Sequence, residues 1–152
     1  MTVKEIKQAL FQICFERADH RHQNIKNTIA DIDESLAEES KSSSADELDN
    51  SRAMMQIDRE NATKQLHEVM AIKDLLKKID VNSSTDYARL GSLIATDKAT
   101  YFISISIGAV EVQSKSYLCV ALNSPIGQAI SGKKKGEVFL FNGIETKILS
   151  ID

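Results

Sequence analysis

Two heptad-patterned stretches without glycine or proline fill the first half of the chain and restrict it to long, paired helices. In each stretch the seam residues recur at the spacing that places them on one face of a helix. The first seam comprises Phe11, Phe15, Ala18, His22, Ile25, Ile29, Ile32 and Leu36. The second comprises Leu48, Met55, Ala62, Val69 and Leu76. The pattern predicts two helices that pair as an antiparallel coiled-coil hairpin about 50 Å long.

An acidic bend separates the two seams. Residues 31–50 carry eight acidic side chains and one basic one, Lys41, which gives this segment a charge of −7 in a chain whose net charge is −3. The acids are Asp31, Asp33, Glu34, Glu38, Glu39, Asp46, Glu47 and Asp49. Carboxylates at this density repel one another, so a fold tolerates them best at a solvated tip. Such a tip is also suited to meet a divalent cation or a basic surface.

The residues inside the bend predict where the second helix starts. Ser44 and Glu47 have the spacing of a capping box, with Ser44 as the N-cap. Asp46 and Glu47 then lie in the first helical turn, where the helix dipole favours negative charge. The dipole disfavours the acids of 31–39 at the end of the first helix. We therefore expect those acids to serve a partner.

After residue 80 the sequence pattern changes from helix to strand. Segments with the alternation and composition of strands lie at 91–96, 100–108, 116–122, 136–141 and 144–151. Ser124 and Pro125 are typical of the N-cap and first position of a short helix that ends before Gly132. Asn142-Gly143 favours a type I′ hairpin turn between the last two strands.

These patterns predict an α+β fold with two domains. The first, residues 1–80, is the antiparallel helical hairpin, with its acidic tip near 38–50. A polar linker at 81–86 leads to the second domain, residues 87–152. That domain is expected to be a small antiparallel β domain with one short helix.

Several classes of protein are excluded by what the sequence lacks. No apolar run is long enough to span a bilayer, and the N-terminus lacks the apolar core of a signal peptide, so we expect a soluble, cytoplasmic protein without a membrane partner. Cys14 and Cys119 form neither a disulfide framework nor a zinc motif. No nucleophile–base arrangement is visible, so we do not expect an enzyme. Basic residues alternate with acidic ones along the hairpin, which argues against independent binding of DNA or RNA.

Two motifs resemble those of the Gre transcript-cleavage factors (GreA/GreB) of bacterial RNA polymerase. The run NSPIGQAISGKKKGEV at 123–138 is similar to the family signature SPIG-x-A-x-x-G-K-x-x-G-[DE]. The matching residues are Ser124, Pro125, Ile126, Gly127, Ala129, Gly132, Lys133, Gly136 and Glu137. At the tip, Asp46-Glu47-Leu48-Asp49-Asn50 is similar to the family's D-x-x-E-N, with Asp49 standing where the family usually has Glu.

The resemblance implies a fold and a function. The β domain would be FKBP-like and dock at the rim of the polymerase secondary channel, while the hairpin enters that channel. Asp46 and Asp49 would help hold a second Mg²⁺ in the polymerase active centre, with Glu47 and Asn50 supporting the tip. The polymerase would then cleave the 3′ end of backtracked RNA and resume elongation, as two-metal hydrolysis allows. The implied docking residues are Ser124, Pro125, Ile126, Gly127 and Lys133.

The tip also departs from the Gre pattern, and this keeps alternatives open. Asp49 is one methylene shorter than Glu, and the aromatic residue that follows the family motif is absent from 51–53. A D-x-x-D motif followed by small residues is also similar to the DksA/TraR regulators, which enter the same channel and modulate initiation. A non-cleaving competitor for the channel is a related alternative. A structural coiled-coil adaptor is the alternative of another class.

Overall fold

The computed structural model describes the backbone of residues 1–39 and 45–152, and the side chains of residues 1–38 and 50–152. Within these residues two long helices precede six strands and one short helix, which confirms the predicted α+β class. The helices are α1 (Val3–Glu39), α2 (Ala45–Lys77) and α3 (Pro125–Ile130). The strands are β1 (Leu93–Thr96), β2 (Thr100–Ser104), β3 (Gly108–Val112), β4 (Lys115–Ala121), β5 (Val138–Phe141) and β6 (Ile144–Ile151).

The chain forms two compact units. One consists of Arg17–Lys73, and we call it the hairpin unit. The other, the β unit, combines Met1–Glu16 with Asp74–Asp152. The first turns of α1 and the end of α2 therefore belong with the strands, as do the residues of the predicted linker.

The predicted seam holds the hairpin unit together. Ala18 and Ile25 of α1 and Ala62 and Val69 of α2 are buried. Toward the tip the seam is more exposed to solvent. Its described side chains there are only half-buried: Ile29, Ile32, Leu36 and Met55. Leu48, the seam residue closest to the bend, lies outside the described side chains. Apolar packing is thus densest away from the tip.

The sheet of the β unit is mixed, where the sequence had predicted an antiparallel one. Its strand order is β3-β4-β2-β1-β6-β5. β2 and β4 are parallel, and the other pairings are antiparallel. The reason lies in the segment predicted as one strand, 100–108. β2 ends at Ser104, the chain turns, and Gly108 with φ +77° starts β3 at the outer edge. β4 then returns between β3 and β2, parallel to β2.

Both faces of the sheet are covered within the β unit. On one face Ile94, Ile103 and Ile148 form a core with Ile126 and Ile130, both from α3. On the other face the buried Ser104 hydroxyl lies 3.5 Å from the Cys14 sulfur of α1. Because β2 is buried on both sides, its polar residue Ser104 is as inaccessible as its apolar ones.

A buried lysine ties α1 to distant parts of the β unit. Lys7 is 3% exposed, and its ammonium group donates to the main-chain oxygens of Ser83, at 3.1 Å, and Asp152, at 3.3 Å. Burial lowers the pKa of Lys7, since the interior disfavours the charged form. The two accepting oxygens satisfy an ammonium group that would otherwise be costly to bury.

Candidate functional site

The acidic tip residues lie at the start of α2. This helix begins at Ala45, so Asp46 and Glu47 fall in its first turn and Asp49 follows directly. Asp46 and Asp49 are three residues apart in this helix. Asn50 is exposed. The side chains of Asp46, Glu47 and Asp49, and the predicted N-cap Ser44, lie outside the described residues.

Three cross-helix ion pairs define the register of α1 against α2 in the hairpin unit. They are Lys73–Asp19 at 2.8 Å, Arg21–Glu68 at 3.5 Å and Arg59–Asp33 at 2.7 Å. In an antiparallel pair of helices, the numbers of two residues at the same level have a nearly constant sum. For these three ion pairs the sum is 92, 89 and 92, respectively. Glu39, the last described residue of α1, is therefore level with residues 50–53 of α2. The first residues of α2, 45–49, precede that level, and we call this segment the overhang. Both candidate metal ligands lie on the overhang.

One acid at the end of α1 has a partner that the sequence analysis did not identify. Both carboxylate oxygens of Asp33 accept from the guanidinium of Arg59, at 2.7 Å and 3.4 Å. This hydrogen-bonded pair lowers the pKa of Asp33 and raises that of Arg59. Asp31, Glu34 and Glu38 are exposed. The expectation that the acids of 31–39 serve a partner is therefore wrong for Asp33, which stabilises the hairpin itself.

The second motif forms α3 and the turn before it. Ser124 is the N-cap and Pro125 occupies the first turn, as predicted. The Gly127 amide donates to the Ser124 hydroxyl at 3.1 Å, and that hydroxyl donates to the Ala121 carbonyl at 2.6 Å. Ile126 is buried in the core. These contacts lie inside the β unit, so they explain the motif locally and leave its docking role a prediction.

Gly127 is required by a close approach of two backbone segments. A β-carbon added there would lie 2.1 Å from the Ala121 carbonyl oxygen and 2.7 Å from that of Leu122. No side chain fits at such distances, since real β-carbons essentially never come within 3.0 Å of another heavy atom. α3 can therefore lie against the end of β4 only if this residue is glycine.

Lys133 lies in the turn after α3, where two main-chain hydrogen bonds to Ala88 fix the backbone. Its carbonyl accepts from the Ala88 amide at 2.8 Å, and the Gly132 amide donates to the Ala88 carbonyl at 2.8 Å. The Lys133 side chain is half-buried, whereas Pro125 and Lys134 are exposed. The exposed side chains of the motif thus include Pro125 and the basic residues Lys134 and Lys135.

The described residues contain no other arrangement suited to chemistry. No three His, Cys, Asp or Glu side chains among them converge as metal ligands. His22, on the first seam, lies 3.1 Å from the ammonium group of Lys73, so it takes part in a cross-helix contact. Within the described ranges, no helix is both long and apolar enough to cross a membrane.

The chain is similar to solved structures, but neither a protein-family model nor a curated protein matches it. One similar structure is of the transcription factor Gfh1, at 15% identity over 90% of this chain and 92% of that one, with a TM-score of 0.36. Another is of the GreA factor homolog 1 (Gfh1) protein of Thermus thermophilus, at 16% identity over 91% and 94%, with a TM-score of 0.34.

Proposed function

We propose that the chain is a Gre-like transcription factor that binds bacterial RNA polymerase. Its hairpin would enter the secondary channel, and Asp46 and Asp49 would stimulate the polymerase's own cleavage of backtracked RNA. The observation that supports this most is the overhang, since Asp46 and Asp49 belong to the first residues of α2 and precede the level of Glu39 in the register of the two helices. The chemistry would belong to the polymerase, and the chain would not be an enzyme by itself.

The dimensions of the helices suit delivery of carboxylates to a buried centre. Within the hairpin unit α1 runs from Arg17 to Glu39, 23 residues, which at about 1.5 Å per residue gives a length of about 35 Å. Two paired helices have a cross-section of only about 10 by 20 Å, so they fit a channel that a globular domain cannot enter. The cross-helix ion pairs and the buried seam keep the hairpin from splaying.

The donor set at the tip is suited to magnesium. Asp46 and Asp49 would contribute two hard carboxylate oxygens of the octahedral set that Mg²⁺ prefers, with the polymerase and water supplying the others. When bound, Mg²⁺ would polarise the phosphodiester and lower the pKa of a water ligand. Glu47 and Asn50 would support the tip through the start of α2. Two carboxylates alone hold Mg²⁺ weakly, so the site would be complete only inside the polymerase.

The motif around α3 would provide the second contact, at the rim of the channel. Ser124, Ile126 and Gly127 would act by shaping α3, since their contacts lie within the β unit. Pro125 and Lys133 would then be the residues that meet the polymerase. A bacterial polymerase is cytoplasmic, so we place the protein there, with no membrane partner and no independent binding of DNA.

The experiment is transcript cleavage in stalled, backtracked elongation complexes, with polymerase binding measured in parallel. We expect shortened RNA with the wild type, and none with Asp46→Ala or Asp49→Ala, while both variants still bind. The matched control is Asp58→Ala, which removes one exposed charge from α2. If this control lost cleavage equally, net charge and not the overhang would be responsible.

The shorter reach of Asp49 favours a second candidate, a DksA/TraR-like regulator or a non-cleaving competitor for the channel. Under the cleavage proposal, Asp49→Glu restores the family's usual side chain and should increase the cleavage rate. Binding without cleavage, in both wild type and Asp49→Glu, would favour the second candidate. Absence of polymerase binding would leave the coiled-coil adaptor.

A further inference from the structure

The ion pair between Arg59 and Asp33 is the described cross-helix ion pair closest to the overhang. From Arg59 to Asp49 the helix α2 is continuous over ten residues, a distance of about 15 Å along its axis. Any rotation or sliding of α2 at Arg59 is therefore transmitted directly to Asp46 and Asp49. The other two pairs, at Arg21 and Lys73, lie farther from the tip along both helices.

The apolar seam restrains α2 less at this level than elsewhere in the hairpin unit. Ala62 and Val69 are buried, but Met55, the next seam residue toward the tip, is only half-buried. Ile57, on a different side of α2, is 56% exposed. Polar contacts thus contribute more to the orientation of α2 near its start than they do farther from the tip.

The geometry of the pair is suited to fixing an orientation. The Arg59 Nε donates to one Asp33 oxygen at 2.7 Å and its Nη2 donates to the other at 3.4 Å. A two-point contact between a planar guanidinium and a planar carboxylate restricts rotation in a way that a lysine contact does not. The contact of Arg59 with Asp33 also joins α2 to α1.

Small rotations matter because metal ligation is sensitive to position. A carboxylate oxygen lies about 6 Å from the axis of its helix, so a 20° rotation moves it by about 2 Å. Ligand distances to a metal ion are held to within about 0.2 Å. An α2 that rotated by even a fraction of that angle would present Asp46 and Asp49 out of place.

We propose that Arg59 and Asp33 are positioning residues, whose ion pair sets the rotation of α2 and so places Asp46 and Asp49 for the polymerase. This inference rests on the proposed function for its activity readout. Neither residue touches the reacting atoms; both act through the orientation of the overhang. The proposal also explains why an acid is placed near the C-terminal end of α1, where the helix dipole disfavours it.

The test combines cleavage kinetics with a measurement of tip orientation that needs no activity. The variants are Asp33→Asn, Arg59→Lys and the double swap Asp33→Arg/Arg59→Asp. Cleavage rate and polymerase affinity are measured separately for each. Orientation is read as the width of the distance distribution between spin labels at Thr28→Cys and Asn50→Cys, two exposed sites on α1 and α2. Cys14 and Cys119 are fully buried, and the wild type carried through the same labelling is the control for them.

We expect Asp33→Asn and Arg59→Lys to broaden the label distribution and to slow cleavage by about three- to fivefold, the scale on which an exposed pair biases an equilibrium. Polymerase affinity should change by less than about twofold, because the β unit is untouched. The swap should narrow the distribution again and recover cleavage. The matched controls are Asp58→Asn, an exposed acid next to Arg59, and Asp19→Asn, which breaks a pair far from the overhang; neither should change either readout.

Failure of this inference and failure of the proposed function give different results. An unchanged label distribution in Asp33→Asn, or a swap that recovers neither readout, overturns the positioning role. Equal loss of cleavage in Asp58→Asn overturns it too, since charge alone would then be responsible. If the wild type binds polymerase without cleaving, the cleavage proposal fails, and the label distances still decide whether the pair orients the overhang.

Discussion

The close approach at Gly127 makes one substitution unusually informative. In Gly127→Ala the new β-carbon would lie 2.1 Å from the Ala121 carbonyl oxygen, 1.3 Å less than the 3.4 Å at which ordinary contact begins. Both clashing groups belong to the backbone, so no side chain can rotate away. Relief requires α3 to move away from the end of β4 by more than 1 Å.

The cost of that movement follows from what holds Ala121 and α3 together. The Ala121 carbonyl accepts from the Ser124 hydroxyl at 2.6 Å and from the Ser124 amide at 3.1 Å, and a shift of α3 strains both bonds. Each is worth about 1 kcal/mol. Overpacking adds about 1–3 kcal/mol, because Ile126 and Ile130 would be displaced from the core. We therefore expect Gly127→Ala to lower the free energy of unfolding of the β unit by about 3–5 kcal/mol.

Urea denaturation followed by tyrosine fluorescence measures this loss. The chain has no tryptophan, and its three tyrosines, Tyr87, Tyr101 and Tyr117, all lie in the β unit. The matched control is Gly143→Ala, where φ is +76° but nothing lies within 4 Å of the added carbon. That variant bears only the left-handed backbone cost, about 1–2 kcal/mol. A Gly127→Ala protein at least as stable as Gly143→Ala would refute the steric argument.

Three further outcomes are expected from the same structure. Ser124→Ala should cost about 1 kcal/mol in urea denaturation, since it removes the N-cap of α3, whereas the exposed Ser131→Ala should cost little. Leu76→Ala should cost about 2–5 kcal/mol, because Leu76 is 0% exposed and its loss leaves a cavity; a smaller loss would mean that the site collapses. The amide of Lys147 donates to Asp97 and lowers the pKa of this carboxyl from 3.8. The stability that Asp97 contributes is therefore complete above pH 3.8 and is lost as the pH falls through the lowered pKa. Unfolding free energies measured down to about pH 2 should thus fall less steeply in Asp97→Asn; parallel curves for the two proteins would contradict the assignment.

The sequence patterns with a fixed period or a fixed turn chemistry were predictive. The heptad spacing located Ala18, Ile25, Ala62 and Val69, all of which are buried. Asn142-Gly143 indicated a hairpin, and both residues have the positive φ that a type I′ turn needs.

Features that depend on tertiary contacts could not be read in this way. β3 was missed because its pairing is decided by where the chain crosses the sheet after Ser104. The carboxylate of Asp33 looked like part of a charge run, since its partner Arg59 lies 26 residues away. Lys7 shows no sign in the sequence of being buried, because its acceptors are main-chain oxygens on remote segments. In each case the deciding contact is distant along the chain.

The tie made by Lys7 has a consequence for the order in which the chain folds during synthesis. Its two acceptors lie 76 and 145 residues farther along, and Cys14 meets Ser104 across 90 residues. The β unit therefore cannot close until its last strand has left the ribosome, and contacts of such long range form slowly. The hairpin unit, Arg17–Lys73, is one continuous segment, so it can pair while the strands are still being made. Until the strands have been made, Leu10 and Cys14 in the first turns of α1 remain exposed to solvent, although both are fully buried in the folded β unit.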